Sequence, residues 1–333
     1  MAASLLPGQF SASVKKDSFR GYFAMPDIVV LDLPNGFASG LAITVDVVRA
    51  ANAISERSGR PEPFVVETLK VSRAATRRFK AKDILIVPGL AVTSEAELQT
   101  RLATPGIQRA VQLVAEARSA GAVIAASCGG TFILAESGLL NGRRATTTWW
   151  LAPAFRQRYP KVELVTEQIV VADWPIATAG AAMAQMDLML AVVAKFVGPK
   201  VSEACARYLL LDHRRSQAPY MAITFLAGQD PRIARAESWL RKNIEREFTM
   251  DELAAAAGFS PRTFARRLKA ICDLSPIRFA QKIRSETAVM LLETTSLSVD
   301  EIARRVGYAE PSTLRRLLRR ESRHTPSRLR GSV

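Results

Sequence analysis

From Asp27 onward the chain alternates short apolar runs with longer amphipathic ones. DIVVLDL (27–33), PFVVETL (63–69), DILIVPGL (83–90) and GAVIAAS (121–127) predict buried strands. SGLAITVDVVRAANAI (39–54) and TPGIQRAVQLVAEARSA (104–120) have the 3.6-residue period of helices. Strands and helices alternating in this way predict an α/β domain, its mostly parallel sheet covered by helices on both faces. Residues 162–180 read as two strands ending in a turn, and 181–198 as a long, largely buried helix. The apolar period then weakens, and HRRSQAPY (213–220), with its charge, Ser and Pro, reads as a connecting segment. Past Asp230 only helical periods remain, which predicts an all-α second domain. The expected division is a loose tail over 1–24, a first domain over 25–205, a linker over 206–230 and a second domain over 231–333.

The helical part repeats itself at an offset of about 49 residues. TMDELAAAAGFSPRTFARRLKAICDLSPIRF (249–279) aligns with SVDEIARRVGYAEPSTLRRLLRRESRHTPSRL (298–329), with one residue inserted after the glycine. Thr249 with Glu252, and Ser298 with Glu301, have capping-box spacing. Gly258 and Gly307 fall where a tight turn needs positive φ, and Phe259 and Tyr308 follow as anchors. A short helix, a glycine turn and a basic helix make a helix-turn-helix pattern. One copy is a weak signal, because many helical hairpins share it. Two copies in register, each ending in a Ser-Pro or Thr-Pro step, are a strong one.

Charge agrees with this pattern. The net charge is +15, and residues 229–333 carry 21 Lys and Arg against 13 Asp and Glu, 18 of the cations being arginine. A basic surface of this kind suits a polyanionic partner. Three widely spaced cysteines, Cys128, Cys205 and Cys272, give no metal-ligand spacing and suggest a reducing, cytoplasmic setting. No signal peptide or membrane span is read from the sequence, and neither a metal nor a cofactor is expected.

Across about 230–330 the sequence resembles the AraC/XylS family of bacterial transcriptional regulators. That resemblance implies binding to double-stranded promoter DNA, the second helix of each unit entering the major groove. Mapped onto this chain, the reading positions are Arg262, Ala265 and Arg266 in the first unit, with Thr263 near phosphate, and Ser312, Arg315 and Arg316 in the second. Arg267, Lys269, Arg319 and Arg320 are assigned to phosphate, which positions the protein without reading sequence. RNA polymerase is a candidate further partner.

In the first domain, Cys128 stands between a buried strand and a helix starting near Gly130, the setting of a nucleophile elbow. A helix N-terminus there is expected to lower the thiol pKa. Residues 25–200 resemble class I glutamine amidotransferase-like domains of the PfpI type, with a flavodoxin-like fold. More narrowly they resemble the GlxA-like regulators that fuse such a domain to an AraC unit. Enzymes of that superfamily need a base beside the cysteine, usually histidine. The only histidines are His213 and His324, and Thr148 holds the position where the resemblance places one. Threonine is no general base at neutral pH, so a non-enzymatic domain is expected. Open α/β sheets bind ligands at the carboxyl ends of their strands. The expected effector pocket therefore comprises Pro34, Asn35, Gly89, Leu90, Cys128, Gly129, Thr148 and Trp149, with Trp149 and Trp150 as an aromatic wall for a cationic nitrogen compound. Some regulators that the chain resembles sense amino-acid or quaternary-amine metabolites, so a nitrogen-containing metabolite is the expected effector, and a homodimer through the first domain is expected. A PfpI-type cysteine enzyme with a regulatory tail and a thiol redox regulator stand as alternatives.

Overall fold

The computed structural model describes residues 26–72, 77–212, 214, 216–321 and 325–330. The tail expected over 1–24, and both histidines, lie outside the described residues.

The first domain is built on a six-stranded sheet. Its strands are β1 (Asp27–Asp32), β2 (Val65–Lys70), β3 (Ile84–Val87), β4 (Val123–Ser127), β7 (Val170–Asp173) and β8 (Ile176–Ala179), while β5 (Arg144–Ala145) and β6 (Glu163–Leu164) form a small separate pair. The order is β2-β1-β3-β4-β8-β7, parallel throughout except where β7 returns antiparallel to β8. Largely apolar runs make β1, β3, β4 and β8, which are covered on both faces, whereas the edge strands β2 and β7 are more exposed. Val29, Leu31, Leu85, Val87, Ile124 and Ala126 point into one core, which α2 (Glu95–Leu102), α3 (Pro105–Ser119), α4 (Gly130–Glu136) and α5 (Ala152–Arg158) close. Ile28, Val30, Ile84, Ile86 and Ala125 point into the other, closed by α1 (Ala38–Arg57), α6 (Ala184–Phe196) and α7 (Pro199–Tyr208). The two-residue period of the strands divides one sheet between two cores.

Three helices of the first domain appear beyond the expected elements: α2, α5 and α7. Each is short, and local chemistry starts it. Ser94 caps α2 by accepting from the Glu97 N–H, and prolines open α5 and α7. The buried face of α7 carries Ser202, Cys205 and Ala206 beside Val201, so its period is hard to see in the sequence.

The second domain comprises α8 (Ile223–Ala227), α9 (Pro231–Lys242), α10 (Met250–Ala256), α11 (Pro261–Cys272), α12 (Pro276–Thr294), α13 (Val299–Arg305), α14 (Pro311–Glu321) and α15 (Pro326–Arg330). It has two small cores, one per unit. Phe264, Leu268 and Cys272 lie in the first, Leu314 and Leu318 in the second. The single helix α12 serves both, giving Phe279, Ala280 and Ile283 to one and Ala288 and Leu292 to the other. Both capping boxes form, at Thr249–Glu252 and Ser298–Glu301.

The stretch expected as a linker, 206–230, is divided between the domains. Ala206, Leu209 and Leu211 pack in the first-domain core, and Met221, Ile223, Leu226 and Ala227 in that of the second. Apolar side chains at both ends were buried rather than left in a spacer, so the connection contracts to about residues 212–220.

Gly258 and Gly307 adopt φ of +67° and +79°. The turns then differ in what surrounds them. A Cβ at Gly258 would meet only the flexible ends of Arg232 and Arg235, whereas one at Gly307 would run into the Ile244 carbonyl oxygen. Replacing either glycine by alanine forces a left-handed conformation costing about 1–3 kcal/mol. Gly307→Ala is expected to lower the melting temperature of the second domain clearly more than Gly258→Ala in parallel thermal denaturation. Equal shifts would contradict the backbone clash.

Candidate nucleic-acid interface and elbow site

The basic helices α11 and α14 bury Phe264, Leu268 and Cys272, and Leu314, Leu317 and Leu318, and turn their arginines outward. Of the residues expected at DNA, Arg262, Arg266, Arg267, Ser312, Arg315, Arg316, Arg319 and Arg320 are exposed, while Thr263 and Ala265 are half-buried. Intramolecular partners divide them further. Arg267 pairs with Asp230 at 3.5 Å, and Arg315 with Asp300 at 3.5 Å. Arg320 binds Glu321 at 3.1 Å and donates to Gln281 at 2.8 Å, tying α14 to α12. Arg262, Arg266, Arg316 and Arg319 have no ion pair or side-chain hydrogen bond among the described residues. These four guanidiniums keep their five donors each for an external acceptor.

The turn before each basic helix is braced alike. The Arg232 guanidinium lies 3.7 Å over the Phe259 ring, and it donates to the Gly258 carbonyl. Arg284 lies 5.0 Å over Tyr308 and 5.1 Å over Phe248. An arginine from the preceding long helix thus stacks on the aromatic after each turn glycine. Neither arginine was singled out from the sequence, because nothing in the repeat links 232 to 259 or 284 to 308 before the chain folds.

The elbow forms, and it is closed. Cys128 sits at φ +52°, between β4 and α4, and is 1% exposed. Its N–H is held by the Gly180 carbonyl at 2.7 Å, and its own carbonyl accepts from Thr147 Oγ1 at 2.9 Å. A Cβ on Gly130 would come 2.5 Å from the Val87 and Pro88 carbonyl oxygens, so glycine is what lets the elbow backbone press onto β3. The expected lowering of the thiol pKa is reversed. Burial pushes the Cys128 thiol up to about 11, against weaker downward pulls from the Gly129 N–H and the Thr148 hydroxyl.

Gly89, Leu90, Cys128, Gly129 and Thr148 come together as expected, but as packed interior. Pro34 and Asn35 stand apart, on the exposed rim of a cavity of about 590 Å³ at the ends of β1 and β2, which Asp32, Lys70 and Arg109 also line. Trp149 and Trp150 stack edge to face at 5.4 Å. Trp149 packs on the second-domain core, 5.6 Å from Phe225, and the Trp150 carbonyl accepts from Gln229 at 2.8 Å. The pair is a seam between the domains.

That seam has a polar half which the sequence did not reveal. Asp273 ends α11 in the left-handed region, φ +58°. Its carboxylate accepts from Arg156 of α5 at 2.5 Å and from the Thr166 hydroxyl at 3.0 Å, and Lys269 pairs with it from its own helix. The Arg156 guanidinium is held below its usual pKa by burial, Asp273 pulling the other way. Gln217, inside the expected connecting segment, is almost fully buried against the first domain.

A "Helix-turn-helix domain" family profile matches residues 253–332, and the DJ-1/PfpI family profile matches 40–195. The chain is 30% identical over 209 residues to the HTH-type transcriptional regulator CdhR of Pseudomonas aeruginosa, a match covering 61% of each chain and so less than two thirds of that relative. It is 26% identical over 293 residues to the regulator GbdR of the same species, covering 83% of this chain and 76% of GbdR. To the regulator GlxA of Rhizobium meliloti it is 29% identical over 205 residues, 60% of this chain and 63% of that one.

All three cysteines are buried, with thiols pushed up to about 11 at Cys128 and Cys205 and about 12 at Cys272. At pH 7.5 less than about one thiol in a thousand is then thiolate. Native protein treated with iodoacetamide at that pH is expected to stay unlabelled by mass spectrometry, and unfolded protein to take up three labels. Rapid native labelling of Cys128 would contradict the closed elbow. With both profiles placed along one chain, the protein is a DJ-1/PfpI-family domain followed by an AraC-type helix-turn-helix domain, and it matches the GlxA-like regulators of the AraC family.

Proposed function

We propose that the protein is a sequence-specific, DNA-binding transcriptional regulator, switched by a small nitrogen-containing effector acting on its first domain. One observation carries the DNA half. Two repeated helix-turn-helix units present arginines that are unpaired among the described residues, Arg262 and Arg266 on α11 and Arg316 and Arg319 on α14. Arginine recognises guanine O6 and N7 with two parallel hydrogen bonds, each good pair giving about 1–3 kcal/mol of discrimination. In this reading Arg262, Arg266 and Arg316 read bases, and Ser312 and Arg315 assist in the second groove. Thr263, Arg267, Arg319 and Arg320 lie toward phosphate, and Ala265 offers only an apolar contact. Because one chain carries both units, a monomer reads two successive groove segments. A homodimer through the first domain then doubles the operator.

The first domain acts by binding rather than catalysis. Its elbow thiol is neutral and buried, and no histidine occurs within residues 26–212. A thiolate nucleophile would need both exposure and a base. The same burial disfavours the redox reading of Cys128. An effector acts only through unequal affinity for two arrangements of the domains, and the seam at Trp149, Gln217 and Asp273 offers the contacts that would differ between them. Action in the cytoplasm and contact with RNA polymerase belong to the same reading. No helix of the described residues is long and apolar enough to cross a membrane.

Fluorescence anisotropy on duplexes from the upstream region of its own gene tests this. Affinity is expected to fall steeply as salt rises. Arg262→Ala and Arg316→Ala should each cost about 5- to 150-fold, concentrated at one or two base pairs. Arg319→Ala should weaken all sequences alike and reduce the salt slope by about 1. Binding indifferent to both salt and sequence would overturn the proposal.

A further inference from the structure

Gln217 lies in a charged, proline-containing stretch of the sequence, yet only 3% of it is exposed. Its carboxamide is inserted into the first domain one residue away from the elbow. The Nε2 atom lies 2.6 Å from the Thr166 carbonyl oxygen, 3.0 Å from that of Thr147 and 3.3 Å from the Thr146 hydroxyl oxygen. That hydroxyl spends its own proton on the Gln168 carbonyl, so toward Nε2 it is an acceptor. The Oε1 atom accepts from the Ala181 N–H at 3.3 Å. Space for the group exists because residue 180 is glycine, where a Cβ would overlap Oε1.

The hydrogen count does not match. A carboxamide nitrogen has two hydrogens, and three acceptors converge on it. A primary ammonium has three. The cradle is therefore better matched to an –NH₃⁺ group than to the side chain that fills it, and the Ala181 N–H beside it suits an acceptor oxygen on the same ligand. A quaternary nitrogen offers no N–H at all and leaves all three acceptors unpaired, which is costly in a buried site.

We infer that Gln217 is a tethered stand-in for the effector, and that a small molecule bearing a primary ammonium displaces it from the cradle of Thr146, Thr147, Thr166 and Ala181. This rests on the reading of the first domain as an effector domain. Displacement removes the side-chain tether of the connection around Gln217, leaving the Arg214–Asp187 pair and the Gln217 N–H bond to the Glu167 carbonyl to hold it. It also replaces the partner on the Thr166 carbonyl, while the Thr166 hydroxyl holds Asp273 at the end of α11. Asp273 follows Arg262, Arg266 and Lys269 at intervals of four, three and four residues, on one stripe of that helix. Ligand at the cradle thus acts on the recognition helix through one shared residue.

n-Propylammonium chloride serves as probe, with tetramethylammonium chloride at equal concentration as the control without N–H groups and propionamide as the neutral amide. In the full-length wild-type chain, propylammonium is expected to speed tryptic cleavage at Arg214 severalfold, and tetramethylammonium to leave it unchanged. Gln217→Gly removes the competitor, so it should cleave about tenfold faster without ligand and bind propylammonium about tenfold more tightly by calorimetry. Gly180→Ala expels Gln217 but also fills the cradle, so it should cleave faster without gaining affinity. Cleavage unaffected by propylammonium, equal effects of both cations, or an effect of propionamide alone would overturn the inference, and the wild-type arm decides it even if a variant fails to fold. Salt- and sequence-dependent DNA binding that survives such a result leaves the regulator reading standing; loss of that binding would remove the reading itself.

Discussion

The relation between the two halves of this molecule depends on one carboxylate. Asp273 closes the first basic helix, α11, in a left-handed conformation, and Arg156 and Thr166 of the other domain converge on it. Exposed ion pairs contribute little by themselves, with a median of about 0–1 kcal/mol. This one is three-quarters covered on both sides, and its guanidinium is partly desolvated. Partial burial makes the arrangement demanding, since losing either partner leaves a charge short of both water and counterion. A contact of that kind is well suited to two-state behaviour. It is either made with good geometry or given up to solvent.

Around that clamp, the apolar and polar contacts of the seam share their load. Trp149 and Phe225 carry the hydrophobic part, and Gln217 and Gln229 the directional part. Directional hydrogen bonds to backbone carbonyls fix register between the domains, whereas edge-to-face rings tolerate sliding. The elbow is joined to this seam through Thr147, whose hydroxyl binds the Cys128 carbonyl while its own carbonyl faces Gln217. The closed elbow turn thereby anchors a loop that meets the connecting segment.

The regular parts of the structure were legible because their signals are local. The strands DIVV, ILIV and VIAAS are apolar on both faces, as a covered parallel sheet requires. The capping pairs Thr249–Glu252 and Ser298–Glu301 are separated by one helical turn, so spacing alone identifies them. The turn glycines followed from the same logic. Helices α2, α5 and α7 were not legible, because a helix of seven to ten residues shows only two to three turns of period, and in α7 the buried face is made mostly of small side chains, one of them polar. The expected pocket drew on a rule about strand ends, which correctly brought Cys128, Gly89 and Thr148 together. It could not say whether the space between them would be filled by their own side chains.

The sequence by itself determined the fold class, the duplicated basic helices and the lack of any histidine between residues 26 and 212, since each is a matter of period, spacing or residue identity. Tertiary structure alone decided which arginines are tied to Asp230, Asp300 or Gln281 and which have no partner among the described residues, that burial keeps the elbow thiol protonated, and that the paired tryptophans and Gln217 belong to a domain seam. Those outcomes depend on burial and on partners up to 79 residues apart in the chain. Desolvation and long-range hydrogen bonding exist only once the domains have met.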